Sequence, residues 1–75
     1  MLHHLDLEIG RATGALVRVL GLAERRGFTP VRVTASPTGP TAMRVRLSVQ
    51  SARPTELLEG QLRKLYDVLH VERAP

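Results

Sequence analysis

Side chains that could act in catalysis or metal binding are few in this 75-residue sequence and lie scattered along it. Cysteine is absent, which excludes a thiol nucleophile, a thiolate zinc site and a redox disulfide. His3 and His4 are neighbours in a segment with strand alternation, so their side chains point to opposite faces and are poorly placed to chelate one metal ion. The remaining candidates are His70, Asp6, Glu8, Asp67, Glu72 and Tyr66. They form no recognised motif, so the sequence predicts no catalytic residue and no metal site.

The composition limits the partners and the compartment of the protein. Eleven basic against seven acidic residues give a net charge of +4, and ten of the eleven are arginine. Such a net charge is typical of proteins that bind an acidic protein surface or a nucleic acid, although the requirement for solubility alone also explains it. No apolar run is long enough for a membrane span, and Asp6 and Glu8 interrupt the start where a signal peptide would be apolar. We therefore expect a cytoplasmic protein with no membrane contact.

The apolar pattern predicts the elements that position these side chains. Leu5 to Ile9 alternate as a strand with one buried face. Residues 14–26 have helical spacing, and this helix ends at two arginines before Gly27. A second strand is predicted over residues 28–36, and Pro30 favours a sheet edge because proline donates no ladder hydrogen bond. The residues predicted to point inward from this strand are Val31, Val33 and Ala35.

The second half of the chain has a related order. Residues 37–40 have strong turn chemistry and predict a hairpin to a third strand over 43–50. A second helix is predicted over 54–67, followed by a short strand over 68–72 that points Leu69 and Val71 inward. This order is that of an α+β, ferredoxin-like βαββαβ sandwich, with two helices on one face of a four-stranded antiparallel sheet. Residues 1–75 are predicted to form a single domain.

The opposite face of this sheet is predicted to be open and basic. It carries Arg32, Arg44 and Arg46, with Thr34, Ser48 and Gln50. We interpret this face as the candidate docking surface for a partner. RNA-binding domains of similar fold stack bases on aromatic side chains of the two central strands. The first and third strands, predicted to be central, contain no aromatic residue, so nucleic-acid binding is disfavoured.

The turn into the first helix is the candidate site for a small ligand. Main-chain N–H groups at Gly14, Ala15 and Leu16 and the helix dipole favour an anion such as an amino-acid carboxylate. The alternative is that Gly14 serves only a tight turn.

Two sequence blocks carry a family resemblance. Residues 14–28 (GALVRVLGLAERRGF) resemble the ACT-domain pattern Gly-x-Leu-x-Arg-Val-x-Gly-Leu followed by Arg-Gly-Phe/Tyr, found in acetolactate synthase small subunits. Residues 61–71 (QLRKLYDVLHV) resemble the Gln-Leu-x-Lys-Leu-x-Asp-Val-x-x-Val block of the same subunits. Two blocks at matching separation are more specific than either alone, and the resemblance covers residues 3–73.

The resemblance implies a regulatory subunit of branched-chain amino acid biosynthesis that binds a large catalytic subunit and performs no chemistry. Thiamine diphosphate, flavin (FAD) and magnesium would belong to the large subunit, and this chain would hold no cofactor. The implied effector-binding residues are Arg11, Ala12, Thr13, Gly14, Ala15 and Leu16. Because the core is small and the second strand offers a free edge, we expect a homodimer.

Two departures from the family pattern refine these expectations. Arg11 stands three residues before Gly14, where members that bind a branched-chain amino acid usually carry asparagine. Arginine has no acceptor for the ligand ammonium group, so valine is predicted to bind weakly or not at all. The chain also resembles the short, single-domain form of the subunit.

Two alternatives stay open: an ACT-like amino-acid sensor that regulates another enzyme, and a small RNA-binding module.

Overall fold

The computed structural model describes all 75 residues of the chain. Its elements, in chain order, are β1 (Leu2–Gly10), α1 (Ala15–Arg25), β2 (Thr29–Pro37), β3 (Ala42–Gln50), α2 (Thr55–Arg63) and β4 (Val68–Arg73). The sheet has the order β2-β3-β1-β4, and all neighbouring strands are antiparallel. The predicted βαββαβ fold is thus confirmed, with β1 and β3 central and β2 at an edge.

The core lies between the helices and one face of the sheet. Leu5, Leu7 and Ile9 of β1 are almost completely buried, as the strand alternation predicts. The other buried apolar residues are Ala15, Val19, Leu22, Ala23, Phe28, Val45, Leu47, Val49, Leu58, Leu62 and Val71. Full burial of a large aliphatic or aromatic side chain stabilises a fold by about 1.5–3 kcal/mol.

The chain leaves α1 through a glycine turn that places the one phenylalanine in the core. Gly27 has φ 86°, a conformation that glycine adopts without a Cβ clash. The N–H of Phe28 donates to the Ala23 carbonyl oxygen at 2.9 Å, and the Phe28 side chain is completely buried. The Arg-Gly-Phe end of the first sequence block is therefore a helix stop followed by a core anchor.

The inward pattern predicted for β2 is wrong at Val31. Pro30 pairs with Val49 and Arg32 pairs with Ser48, so Val31 is an extra residue in a β-bulge. Val31 is consequently 53% exposed, and Ala35 near the end of this edge strand is also exposed. Only Val33 of the three predicted inward residues packs against the core.

The prediction for the last helix and strand is wrong in two places. Helix α2 ends at Arg63 and not at residue 67, because the chain must reverse direction before β4 begins at Val68. Leu69 is 60% exposed, although it was predicted to point inward with Val71. Ile9 pairs with Val68 and Glu8 pairs with His70, so Leu69 is the extra residue of a second bulge.

Candidate functional site

Helix α1 begins at a turn that depends on Gly14. This residue has φ 82° and ψ 0°, and an added Cβ would lie 2.9 Å from Nη1 of Arg18. Both facts show that the turn itself requires glycine at position 14. This agrees with the interpretation that Gly14 serves a tight turn. The N–H of Ala15 is not free for a ligand, because it donates to the Ala12 carbonyl oxygen at 3.1 Å. Only the amides of Gly14 and Leu16 remain of the three proposed donors.

An ion pair joins this turn to the segment between α2 and β4. Nε of Arg18 donates to Oδ2 of Asp67 at 2.6 Å, and the Asp67 side chain is only 7% exposed. The hydrogen bond from Arg18 lowers the pKa of Asp67, and the same bond raises the pKa of Arg18. The Asp67 carbonyl oxygen also accepts the N–H of Gly10 at 2.8 Å. Arg18 and Asp67 come from the two sequence blocks, so the blocks meet in space.

Beside this ion pair lies a hollow of about 570 Å³ at the end of the sheet, here called the end hollow. Its walls are Gly10, Arg11, Ala12, Pro40, Thr41, Tyr66, Asp67 and Leu69. Of the six predicted effector residues, only Arg11 and Ala12 line it. Nη1 of Arg11 donates to the Gly39 carbonyl oxygen at 3.0 Å, which holds this side chain on the hairpin between β2 and β3.

Sequence reasoning missed the apolar wall of the end hollow. Tyr66 is 98% exposed and Leu69 is 60% exposed, whereas helical and strand periodicity placed Leu69 in the core. The bulge at Leu69 turns this side chain out of the core and toward the end hollow. A bulge leaves no clear signal in an apolar pattern, so the sequence offered no means to find this wall.

The three arginines predicted for docking lie on the sheet face away from the helices, here called the open face. The strand pairing arranges this face in three rows that cross the sheet. The first row is Arg32, Ser48 and His4; the second is Thr34, Arg46, Asp6 and Glu72; the third is Ser36, Arg44, Glu8 and His70. The open face thus has a basic half on β2 and β3 and an acidic half on β1 and β4. The arginines of β2 and β3, considered alone, predicted a basic face, but the open face as a whole is not uniformly basic.

The three arginines predicted for docking differ in how they are paired. Nε and Nη2 of Arg46 donate to the two carboxylate oxygens of Asp6 at 2.8 and 3.1 Å. This bidentate contact lowers the pKa of Asp6 and raises that of Arg46. Arg32 and Arg44 are exposed and form no salt bridge. Their guanidinium groups are the ones available to a partner.

The two N-terminal histidines lie on opposite faces of the sheet, as predicted. Nδ1 of His3 is 2.7 Å from Oγ1 of Thr55 on the helix side, and Nδ1 of His4 is 2.7 Å from Oγ of Ser48 on the open face. The structure contains no group of three or more histidine, cysteine, aspartate or glutamate side chains placed to hold a metal ion. None of its helices is both long and apolar enough to cross a bilayer.

The fold defines the class of protein as a ferredoxin-like βαββαβ domain, and comparison with known proteins gives the family. The sequence profile of the ACT domain matches residues 11–71, so this chain belongs to the ACT domain family. The chain is 39% identical over 69 residues to the acetolactate synthase isozyme 3 small subunit of Escherichia coli strain K12. This match covers 89% of the chain and 42% of that protein. The acetolactate synthase small subunit of Buchnera aphidicola is 35% identical over 69 residues, with 44% of its length covered.

Solved structures agree with this assignment. The acetolactate synthase small subunit of Thermotoga maritima superimposes with a TM-score of 0.84 at 27% identity, over 97% of this chain and 47% of that one. The ACT domain of the Chlorobium tepidum GTP pyrophosphokinase superimposes with a TM-score of 0.79 at 17% identity, over 99% of this chain and 97% of that one, which shows the shared fold alone. The chain spans less than half the length of the small subunits that it matches. The resemblance to these subunits is confirmed.

Proposed function

We propose that this chain is a regulatory small subunit of acetolactate synthase, a cytoplasmic protein that binds the large catalytic subunit and increases its activity. The observation that carries the proposal is the 39% identity to an acetolactate synthase small subunit over 89% of the chain. Thiamine diphosphate, FAD and magnesium belong to the large subunit in this proposal. The chain itself acts through binding alone.

Binding of this kind raises activity only when the small subunit has a higher affinity for the active conformation of the large subunit than for the inactive one. A coupling of about 1–3 kcal/mol changes an equilibrium roughly five- to 150-fold. A rigid domain suits this role, because a surface that keeps its shape can favour one conformation of its partner. The buried Asp67 carboxylate and the fully buried core residues support such rigidity here.

The open face is the surface that we propose for docking, through Arg32, Arg44 and Arg46. Two of these guanidinium groups have no partner within the chain, so acidic side chains of the large subunit can pair with them without breaking an existing contact. Arg46 already binds Asp6 and contributes through its remaining N–H groups. The acidic half on β1 and β4 requires that the large subunit place basic groups there.

The test of the proposed function is reconstitution with the large subunit encoded in the same genome. Acetolactate formation is measured while the chain is titrated against a fixed amount of large subunit. We expect no activity from the chain alone and a saturable increase with the large subunit. Unchanged activity together with no complex in sedimentation would reject the proposal and leave a sensor of another enzyme as the better function.

We propose the end hollow and the adjoining turn at residues 11–16 as the effector site, with weak or no binding of valine. Arg11 brings a positive charge toward the ligand ammonium group, and its donors cannot replace an acceptor. Loss of a charged hydrogen bond costs about 1.5–3 kcal/mol, or roughly ten- to a hundredfold in affinity. In calorimetry, Arg11→Asn should bind valine more tightly than the wild type. Saturable micromolar binding by the wild-type chain would contradict this account.

We also propose that the chain forms a homodimer. Strands β2 and β4 are both at edges of the sheet, and their outer main-chain groups have no strand partner. A domain of this size also buries a smaller fraction of its surface on folding than a larger domain does, so association adds stability. Light scattering at high micromolar concentration should give twice the chain mass of 8.3 kDa. A monomer mass at that concentration would contradict the dimer.

A further inference from the structure

The open face contains a second hollow, of about 450 Å³, here called the face hollow. Its polar walls come from three neighbouring strands: His4 on β1, Arg32 and Thr34 on β2, and Arg46 and Ser48 on β3. Ala74 and Pro75 close one side, because the N–H of Ala74 donates to the His4 carbonyl oxygen at 2.9 Å. No carboxylate side chain lines this hollow, in contrast to the end hollow with Asp67.

We propose that the face hollow is a binding site for a phosphate monoester, a site separate from the turn at residues 11–16. The guanidinium group of Arg32 forms no hydrogen bond or salt bridge within the chain. Arg46 uses Nε and Nη2 on Asp6, which leaves Nη1 free to donate. Both oxygens of Asp6 accept from Arg46, so the carboxylate of Asp6 is already compensated.

The pair His4 and Ser48 supplies a further donor whichever way its proton lies. If Ser48 donates across the 2.7 Å contact to Nδ1 of His4, the neutral ring carries its proton on Nε2. If Nδ1 donates instead, the Ser48 hydroxyl proton is free to donate elsewhere. The Thr34 hydroxyl, which has no side-chain hydrogen bond in the structure, adds another donor across the hollow.

The arrangement favours a phosphate ester over a carboxylate. Donors approach from three strands, and a phosphate group has three peripheral oxygens to accept from them, whereas a carboxylate has two oxygens in one plane. The hollow is also much larger than one phosphate group, which leaves room for the organic part of an ester. This site can be tested without the large subunit, because it requires only the chain itself. It shares Arg32 and Arg46 with the proposed docking surface, so a bound phosphate and the large subunit would compete for these two arginines.

The test is a titration of the isolated full chain, by calorimetry or NMR, with inorganic phosphate, phenyl phosphate and acetate at constant ionic strength. We expect saturable binding of both phosphates, phenyl phosphate at least as tight as inorganic phosphate, and acetate clearly weaker. Arg32→Gln should weaken phosphate binding about tenfold, the effect of one lost charged hydrogen bond. The matched control Arg44→Gln, an exposed arginine of the third row outside the hollow, should change the affinity less than about twofold, as a change of net charge alone does.

Several results would overturn the site. One is a linear, unsaturated response to tens of millimolar phosphate. Another is acetate binding equal to that of phosphate, which would indicate a place for acidic side chains of a protein partner. Equal losses in Arg32→Gln and Arg44→Gln would show general attraction to a basic surface. Thr34→Val removes a donor without a charge, so a wild-type affinity in both Thr34→Val and Arg32→Gln would also reject the proposal.

Discussion

The start of α1 and the open face use arginine in opposite ways. At the start of α1, Arg18 binds the buried Asp67, and main-chain hydrogen bonds fasten the surrounding loops. On the open face, Arg32 and Arg44 extend into solvent with no ion-pair partner. The family resemblance lies in the blocks that supply Arg18 and Asp67, while the arginines proposed for docking lie outside both blocks. The family pattern therefore identifies what holds the domain together more directly than what it binds.

The largest expected effect is the loss of the Arg18–Asp67 ion pair. Arg18→Ala leaves the Asp67 carboxylate buried without its donor. The native state is therefore destabilised by more than the loss of a solvent-exposed ion pair would cost. We expect the melting temperature to fall by at least about 10 °C in a domain of this size. Thermal unfolding followed by circular dichroism measures it, with Arg44→Ala as the exposed control. Equal small shifts of the melting temperature in the two variants would contradict the difference between the start of α1 and the open face.

A smaller effect is expected from Gly14→Ala at the same turn. The positive φ of 82° disfavours any residue with a Cβ, and the new Cβ would contact the Arg18 guanidinium at 2.9 Å. We expect a loss of about 1–2 kcal/mol in the free energy of unfolding, from the cost of a left-handed conformation. Urea denaturation measures it, and Gly60→Ala is the matched control because an added Cβ there meets nothing within 4 Å. A loss as large in the control variant would contradict the role of the turn.

The third expected effect is on stability in acid. Arginine hydrogen bonds lower the pKa of Asp67 and of Asp6 in the folded state below the ordinary value of 3.8. The unfolded chain then binds more protons, so this stabilisation is full above the ordinary pKa and is lost as the pH falls through the folded pKa. Between about pH 5 and pH 2, the stability of Asp67→Asn should fall less steeply than that of the wild type. If the stability of the two proteins fell in parallel with pH, the charge of Asp67 would contribute nothing to the free energy of unfolding.

The fold and its central strands were predictable because alternation and helical spacing report which face of an element is buried. The pattern failed at Val31 and Leu69, where a β-bulge adds one residue and shifts the alternation without any change of residue type. It also extended α2 beyond Arg63, because the spacing of Leu58, Leu62 and Leu65 continues into the turn.

The candidate site was only partly predictable, for a related reason. Alternation placed Arg32, Arg44 and Arg46 correctly on the open face, since this depends on strand geometry alone. The pairing of Arg46 with Asp6 and of Arg18 with Asp67 depends on residues 40 and 49 positions apart in the sequence. Such contacts follow from the exact strand register and from the seating of α1 on the sheet, which the apolar pattern does not specify. Alternation also places Asp6, Glu8 and Glu72 on the outward side of β1 and β4, but their position beside the arginines follows only from the assembled sheet.

The measurement that tests the central claim most directly is the affinity of the large subunit for a charge-reversed chain. We expect Arg44→Glu to melt within a few degrees of the wild type, since exposed substitutions usually change stability by at most about 0.5 kcal/mol. Its complex with the large subunit, measured by sedimentation velocity, should be at least about tenfold weaker, as expected when a charge is reversed at an interface. Lys64→Glu, an equal charge change beyond the end of α2, should bind like the wild type. A complex of undiminished affinity with Arg44→Glu, or an equal loss with Lys64→Glu, would contradict docking through the open face.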